Sequence, residues 1–251
     1  MYLLKAVAIL ISPFYKLSLT YDYINLIGRF LSVLFDTGTV FMIFVLGRKL
    51  FSEKVGLIGS FFYTISVLPI QAAHFYAVDT PLTFLILLTL YFLVLFYEKP
   101  SKSGALIVGA LIGASLATKT SALALIVSIG AALFSDFTLI LIKNLHKPRV
   151  WFFHAPKVIK ILFTEGLIIL TVSIVSFLIF EPYALLDFKE FLRQTLEQSR
   201  MTHDPFTFPF TFQYVGKIPY LYELKNIFLW GQGPILATIS FAGIFYVLFL
   251  I

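Results

Sequence analysis

Seven apolar runs, near residues 24–46, 56–70, 81–97, 104–118, 120–142, 161–180 and 230–251, dominate this chain and leave a water-soluble fold nowhere to put its surface. The hydrocarbon core of a bilayer is crossed by about 20 consecutive apolar residues in a helix. Most of the runs approach that length. Only 13% of the residues are charged and 59% are hydrophobic, with a mean hydropathy of +0.94, whereas soluble domains carry roughly 25% charged residues. The expectation is an all-α polytopic transmembrane helix bundle with about six spans and external amphipathic or juxtamembrane helices. The runs 104–118 and 120–142 meet at ATKTS, which reads as a tight external turn between two helices. The opening MYLLKAVAILISPFY is short for a span and reads as an interfacial helix. It has no basic region ahead of it and no small-residue cleavage site behind it, so it does not read as a convincing signal peptide.

Loop charge sets the orientation. GRKLFSEK contributes Arg48, Lys49 and Lys54, EKPSKS contributes Lys99 and Lys102, and the 143–160 loop contributes Lys143, Lys147, Arg149, Lys157 and Lys160. QAAHFYAVDT has no Lys or Arg. Basic loops stay cytoplasmic, which places HFYAVDTP, ATKTS and the long 181–229 segment outside. The excess of basic residues, +6 overall, is explained by these loops. No dense basic stripe suggests a nucleic-acid partner. The absence of cysteine removes disulfides, thiolate metal sites and a cysteine nucleophile. Residues 1–251 read as a single unit without tandem repeats, and its two ends read as truncated: the chain begins where an earlier span is expected and stops inside an apolar run.

Chemistry-bearing side chains gather on the expected external face. Pro81 fits the first turn of a helix with Asp79 at its mouth. Asp79 reads either as a helix cap or as an acid that binds a divalent ion, and through it a phosphate-bearing lipid. His74 reads as an interfacial residue or a ligand. Lys119, between Thr118 and Thr120, reads as a headgroup anchor or a phosphate partner. Of the charges inside the runs, Arg29 and Glu165 lie near helix ends and can snorkel, whereas Asp36 is deep and reads either as a partner of a neighbouring helix or as a functional charge. From Leu185 to Met201, Leu185, Phe188, Leu192 and Leu196 recur three or four apart opposite Lys189, Glu190, Arg193 and Glu197, which predicts a surface helix. Beyond it, Phe206, Phe208, Phe210, Phe212, Tyr214, Tyr220 and Tyr222 alternate with Asp204, Gln213 and Lys217. Such a mixture suits either a sugar ligand or an interfacial aromatic belt.

The stretches GRFLSVLFDTGTVFMIFVLGRKLFSEKVGLIGSFFYTIS, HFYAVDTPLTFLILLTLYFLV, GALIGASLATKTSALAL, EPYALLDF, QSRMTHD, FQYVGKIPYLYEL and LWGQGP occur in this order. As an ordered set they resemble the polytopic glycosyltransferases of the C superfold, especially the protein O-mannosyltransferase and aminoarabinose transferase group that uses phospholipid carriers. The resemblance implies a multi-pass protein of the cell membrane that takes a sugar from a polyprenyl-phosphate donor and passes it to a protein, lipid or glycan acceptor. It places the family's catalytic acid in a first external loop, upstream of Met1. Asp79 then matches the acidic position of the second external loop, Lys119 the lysine after the Gly-rich helix, and Glu181, Tyr183 and Asp187 the start of a later external loop. Together with Arg29, His74, His203, Asp204 and Tyr214 these are the candidate substrate-binding residues. No cofactor is fixed by the sequence, and a divalent cation at Asp79 is the candidate metal.

A secondary transporter would show inverted repeats and a midplane site. No repeat is visible, and the acids cluster outside. A membrane assembly subunit would leave the external acids and aromatics without a chemical reason. The glycosyltransferase reading expects Asp79, Lys119 and the Glu181–Asp187 segment to converge on one external cavity.

Overall fold

The computed structural model describes residues 2–13, 20–131, 162–206 and 208–250. It is a helix bundle, and no strand occurs among the described residues. Helix α1 (Tyr2–Ile11) packs on α2 through a face that buries Leu4 and Ala8. Helix α2 (Tyr21–Leu50) has 30 residues and spans about 45 Å at 1.5 Å per residue, enough to cross a bilayer with tilt. Ser52 then turns the chain, its Oγ accepting the Val55 N–H at the start of α3 (Glu53–Thr64).

The run expected to cross near 56–70 is bent. Helix α4 (Val67–Ala73) leaves α3 at 62°. Pro69 gives the reason: its ring would collide with the carbonyl four residues back, at Ile65, so one continuous helix cannot pass through Ile65 and Ser66. Ser66 Oγ caps the broken end by donating to Phe62 O at 2.8 Å. Next come α5 (Asp79–Glu98), α6 (Lys102–Thr118) and, beyond an extended Lys119, a 3₁₀ turn that continues as helix α7 (Thr120–Ala131). Two helices with a tight turn between them are thus what ATKTS encodes. A π-type turn (Leu162–Gly166) opens α8 (Leu167–Phe180).

Three helical stretches, Tyr23–Leu50, Asp79–Glu98 and Phe163–Phe180, are long and apolar enough to cross a membrane, and the bent pair makes up to four. The runs at α6, α7 and α12 (Pro234–Leu250) form shorter apolar helices among the described residues. Of these, the 104–118 run is cut short because Lys119 takes φ −160° and ψ 135°, which ends α6.

The 181–229 segment, expected as a loop, is largely helical. The single helix expected over Leu185–Met201 is two: α9 (Tyr183–Leu186) and α10 (Phe188–His203), with Asp187 between them capping α10 by accepting the Glu190 N–H at 3.3 Å. An Asp able to satisfy orphan amides of the next helix favours a break over a continuous turn. Phe188, Leu192 and Leu196 form an exposed apolar stripe on α10, while Glu190, Arg193 and Glu197 form an ion-pair ladder opposite. Hydrogen bonds from Arg193 and then Gln194 hold the Glu190 carboxyl down at about 2, so the Glu190–Arg193 pair stays charged at any physiological pH. The Phe191 ring meets Phe177 in the last turn of α8 edge-on at 6.2 Å, which seats α10 at the end of that span. Further on lie a 3₁₀ turn (Pro209–Tyr214), α11 (Leu221–Asn226) and a π-type turn (Ile227–Gly231) that meets both α4 and α12.

Helix directions follow from the contacts. Asp36 on α2 accepts a hydrogen bond from the Tyr63 hydroxyl at 2.7 Å, and Gly47 lies against Gly56, so α2 and α3 are antiparallel. This satisfies the deep carboxylate with the partner its position demands. Gly28 meets Tyr76, Gly38 meets Phe84 and Lys49 pairs with Glu98 at 2.7 Å, so α2 and α5 run parallel. Phe96 beside Gly104 and Lys119 paired with Asp79 make α5 and α6 antiparallel. Gly109 lies on Ile169 and Val172, and Gly113 on Ser173, Ser176 and Phe177, so α6 and α8 are parallel. Ser176 Oγ donates to Ala110 O across that interface at 2.7 Å, a hydrogen bond of a kind worth about 0.6 kcal/mol on average. Leu93, Phe96, Ala105, Val108, Ile112 and Ile169 form the buried core around it.

A Cβ built on Gly109 would stand 2.8 Å from Ile169 O, and one on Gly113 would strike Ser173 O. These atoms are backbone and cannot swing aside. Gly113→Leu should therefore cost about 1–3 kcal/mol or more and lower the thermal unfolding midpoint in detergent, while Gly243→Ala, which meets nothing within 4 Å, should not.

Candidate functional site

The directions above sort the charges by end. One end of the bundle holds Arg48, Lys49, Lys54, Glu98, Lys99 and Lys102, tied by the Lys49–Glu98 pair. The other holds the start of α2, the turn after α4, the start of α5, the end of α6 and the end of α8. All the candidate residues within these spans and turns lie toward this second end. The loop-charge rule is the ground for expecting the basic end on the cytoplasmic side.

At the second end Asp79 and Lys119 meet. Lys119 Nζ lies 2.7 Å from Asp79 Oδ1, across 40 residues of sequence. Asp79 is the first residue of α5, and Val78 stands at the cap position without a capping side-chain hydrogen bond. The Asp79 carboxylate is thus turned toward Lys119 rather than spent on its own helix. Lys119 stands in extended backbone at the C-terminus of α6, its N–H bonded to Ser115 O at 3.1 Å. Each charge faces the helix end that favours it, the carboxylate the positive end of α5 and the ammonium the negative end of α6. Both side chains are about half exposed, 57% for Asp79 and 45% for Lys119, so the pair itself stabilises by only about 0–1 kcal/mol.

An apolar groove of about 570 Å³ lies nearby in the bundle, and neither Asp79, Lys119 nor the Glu181–Asp187 segment is among its lining residues. Thr120, adjacent to Lys119, lines it together with Leu116, Leu123, Ile126, Leu170 and Phe177, so it runs between α6, α7 and α8. Its size falls in the range of about 300–1,000 Å³ common for ligand pockets. Sequence reasoning missed these lining residues. Apolar side chains facing a groove and those facing lipid look alike in a hydropathy profile.

The remaining candidates stand as follows. His74 is exposed at the end of α4 with Nδ1 donating to Ile70 O at 2.6 Å. Tyr76, not singled out from the sequence, lies in the turn between α4 and α5 against Gly28, where a Cβ would come within 2.6 Å of its ring. Burial pushes its phenol pKa up. That contact draws the first turns of α2 alongside, and the adjacent Arg29 is exposed and forms no ion pair among the described residues. Glu181 ends α8, its N–H bonded to Phe177 O, and Tyr183 is exposed on α9. Because α6 and α8 are parallel, Glu181 shares the end that holds Lys119. Neither Glu181 nor Asp187 is in an ion pair among the described residues, and Asp187 is engaged as the α10 cap. Asp204 Oδ1 accepts the Phe206 N–H at 2.9 Å, and Tyr214 meets Tyr222 edge-on at 5.7 Å, with the Lys217 ammonium 5.4 Å from the Tyr222 ring. The side chain of His203 lies outside the described residues. Among the described residues no three His, Asp or Glu side chains gather as a metal site, and the partner of Asp79 is a cation.

The sequence profile of the dolichyl-phosphate-mannose-protein mannosyltransferase family matches residues 23–159. The chain belongs to this family. The matched region runs from α2 past α7 and contains Arg29, His74, Asp79 and Lys119, while Glu181, Tyr183, Asp187, His203, Asp204 and Tyr214 lie beyond it. No curated protein and no solved structure matches the chain. Family membership and the apolar helices together identify an integral membrane protein of the mannosyltransferase-like glycosyltransferases, a family whose donor is a lipid-linked sugar.

Because the chain has no cysteine, introduced thiols report cleanly. Asp79→Cys and Lys119→Cys should react with a membrane-impermeant maleimide from one side and Lys54→Cys from the other. In the Asp79→Cys, Lys119→Cys double variant a short bis-thiosulfonate should cross-link the two thiols.

Proposed function

We propose that this protein transfers a sugar, mannose by its family, from a polyprenyl-phosphate carrier to an acceptor hydroxyl at the external membrane face. The observation that supports this most is a half-exposed Lys119 next in sequence to Thr120, which lines an apolar groove, on the end of the bundle opposite the described basic loops. A lipid phosphate has this same division: an anion that stays at the membrane surface and a hydrocarbon tail that needs an apolar path. The groove between α6, α7 and α8 takes the tail, and the Lys119 ammonium meets the phosphate.

In the transfer, the acceptor oxygen attacks the sugar C1, the bond from C1 to the phosphate oxygen breaks, and the acceptor proton passes to a carboxylate base. The carrier leaves as a polyprenyl phosphate monoester. Lys119 acts where negative charge grows, on the departing phosphate, so its interaction is stronger in the transition state than in the ground state. Exposed Arg29 on α2 stands at the same end and supplies a second cation toward the phosphate. The exposed aromatic side chains of the 206–222 segment, Phe206, Phe210, Phe212, Tyr214 and Tyr220, supply faces on which an acceptor glycan or peptide packs. The plasma membrane is the site of action under this reading.

Transfer of radiolabelled mannose from dolichyl-phosphate mannose, measured in membranes carrying the protein, tests the proposal. Lys119→Met should lower the rate about 100-fold, the scale seen when one donor to a developing oxyanion is removed, and Lys119→Arg should retain most of it. Equal transfer by wild type and Lys119→Met would refute the assignment of the phosphate to Lys119.

A further inference from the structure

The ion pair between Asp79 and Lys119 occupies the ammonium that the preceding reading gives to the donor phosphate. Resting on that reading, we propose that Asp79 is a built-in competitor for the phosphate subsite: the lipid phosphate enters by displacing Asp79 from Lys119, and Asp79 returns to expel the product.

Three features carry this. The pair is short, 2.7 Å, yet both partners are about half exposed. It is therefore formed at rest but weak, the condition for ready exchange. Next, the two charges belong to separate helices, one at the first residue of α5 and the other in the break after α6. Lys119 has a flexible four-carbon stem and Asp79 a short one, so the ammonium can swing toward Thr120, which lines the groove, without moving either helix. Finally, the charges of substrate and product differ. The sugar-carrying donor is a phosphodiester with a single negative charge, whereas the carrier released after transfer is a monoester carrying about −1.5 to −2 at pH 7. A bare Lys119 would hold the product more tightly than the donor and slow turnover. A carboxylate that reclaims the ammonium lowers the affinity for both ligands by the same factor, which leaves their ratio unchanged but weakens the hold on the monoester enough to let it leave. Asp79 is on this account a positioning residue that acts through Lys119, and no bond of the substrate forms or breaks on it.

Binding to the purified full chain in nanodiscs tests the proposal, with farnesyl phosphate as the product-like probe, farnesol as its uncharged counterpart and inorganic phosphate as the headgroup alone. Asp79→Asn should bind farnesyl phosphate about two- to fivefold more tightly than wild type, the range an exposed ion pair can withhold, with farnesol unchanged. Lys119→Met should bind farnesyl phosphate no better than farnesol, and inorganic phosphate should bind wild type far more weakly than farnesyl phosphate. Under turnover, Asp79→Asn should show stronger product inhibition by farnesyl phosphate. Asp79→Ser, which also begins a helix well, serves should the Asn variant lose thermal stability. Unchanged or weaker farnesyl phosphate binding by both Asp79 variants, with Lys119→Met still defective, would overturn the competitor role and leave Lys119 as the phosphate partner. Wild-type binding retained in Lys119→Met, or inorganic phosphate binding as tightly as farnesyl phosphate, would overturn the lipid-phosphate reading itself and this inference with it.

Discussion

The close approach of α6 and α8 at Gly109 and Gly113 is the constraint on which the site depends. In a bilayer the lipid tails are as apolar as the helices, so association rests on tight packing and interhelical hydrogen bonds rather than on hydrophobic burial. Both are present here: two glycines against the Ile169 and Ser173 backbone, and the Ser176 hydroxyl on Ala110 O. Two parallel helices in contact bring like ends together, so the C-termini of α6 and α8, and with them Lys119 and Glu181, share one end of the bundle. The same contact spaces the two helices so that α7, packed on α5 through Leu82, Ala122 and Leu125, leaves the apolar groove beside them.

Electrostatics then differentiates the two ends. The Lys49–Glu98 pair ties α2 to α5 at the basic end, and the Asp79–Lys119 pair ties α5 to α6 at the other. Neither contributes much to stability, since both are exposed. Their value lies in position. A basic cluster opposite a nearly neutral pair gives the two ends unlike charge, and under the proposed function the pair at the second end meets both an incoming anion and a departing one.

Much of this was legible in the sequence because membrane helices obey few and strong rules. The apolar runs became helices wherever they are described, the charges of the GRKLFSEK and EKPSKS loops lie at one end while the 143–160 loop is outside the described residues, and the ATKTS break separated two helices at Lys119. Asp79 could be placed beside a helix start from Pro81 alone, but its partner could not. A carboxylate at a first helical residue suits a cap as well as an ion pair, and only the antiparallel packing of α5 on α6 decides between them. The bend at Ile65–Ser66 was written in Pro69 yet masked by the continuous hydropathy around it. Asp187 was grouped with site residues although its side chain caps α10. The groove had no sequence signature, because Leu123 lining it and Leu106 exposed elsewhere on the bundle are chemically the same.

The central claim is that one apolar groove, headed by Lys119, holds the tail of a lipid phosphate. A polyprenyl phosphate carrying a photoactivatable group midway along its tail tests it most directly. After irradiation in nanodiscs and peptide mapping, the account places the label on groove residues of α7 and α8, such as Leu123, Ile126 and Leu170, with labelling reduced in Lys119→Met. Label confined to the outer faces of α2 or α12, and insensitive to Lys119, would contradict it.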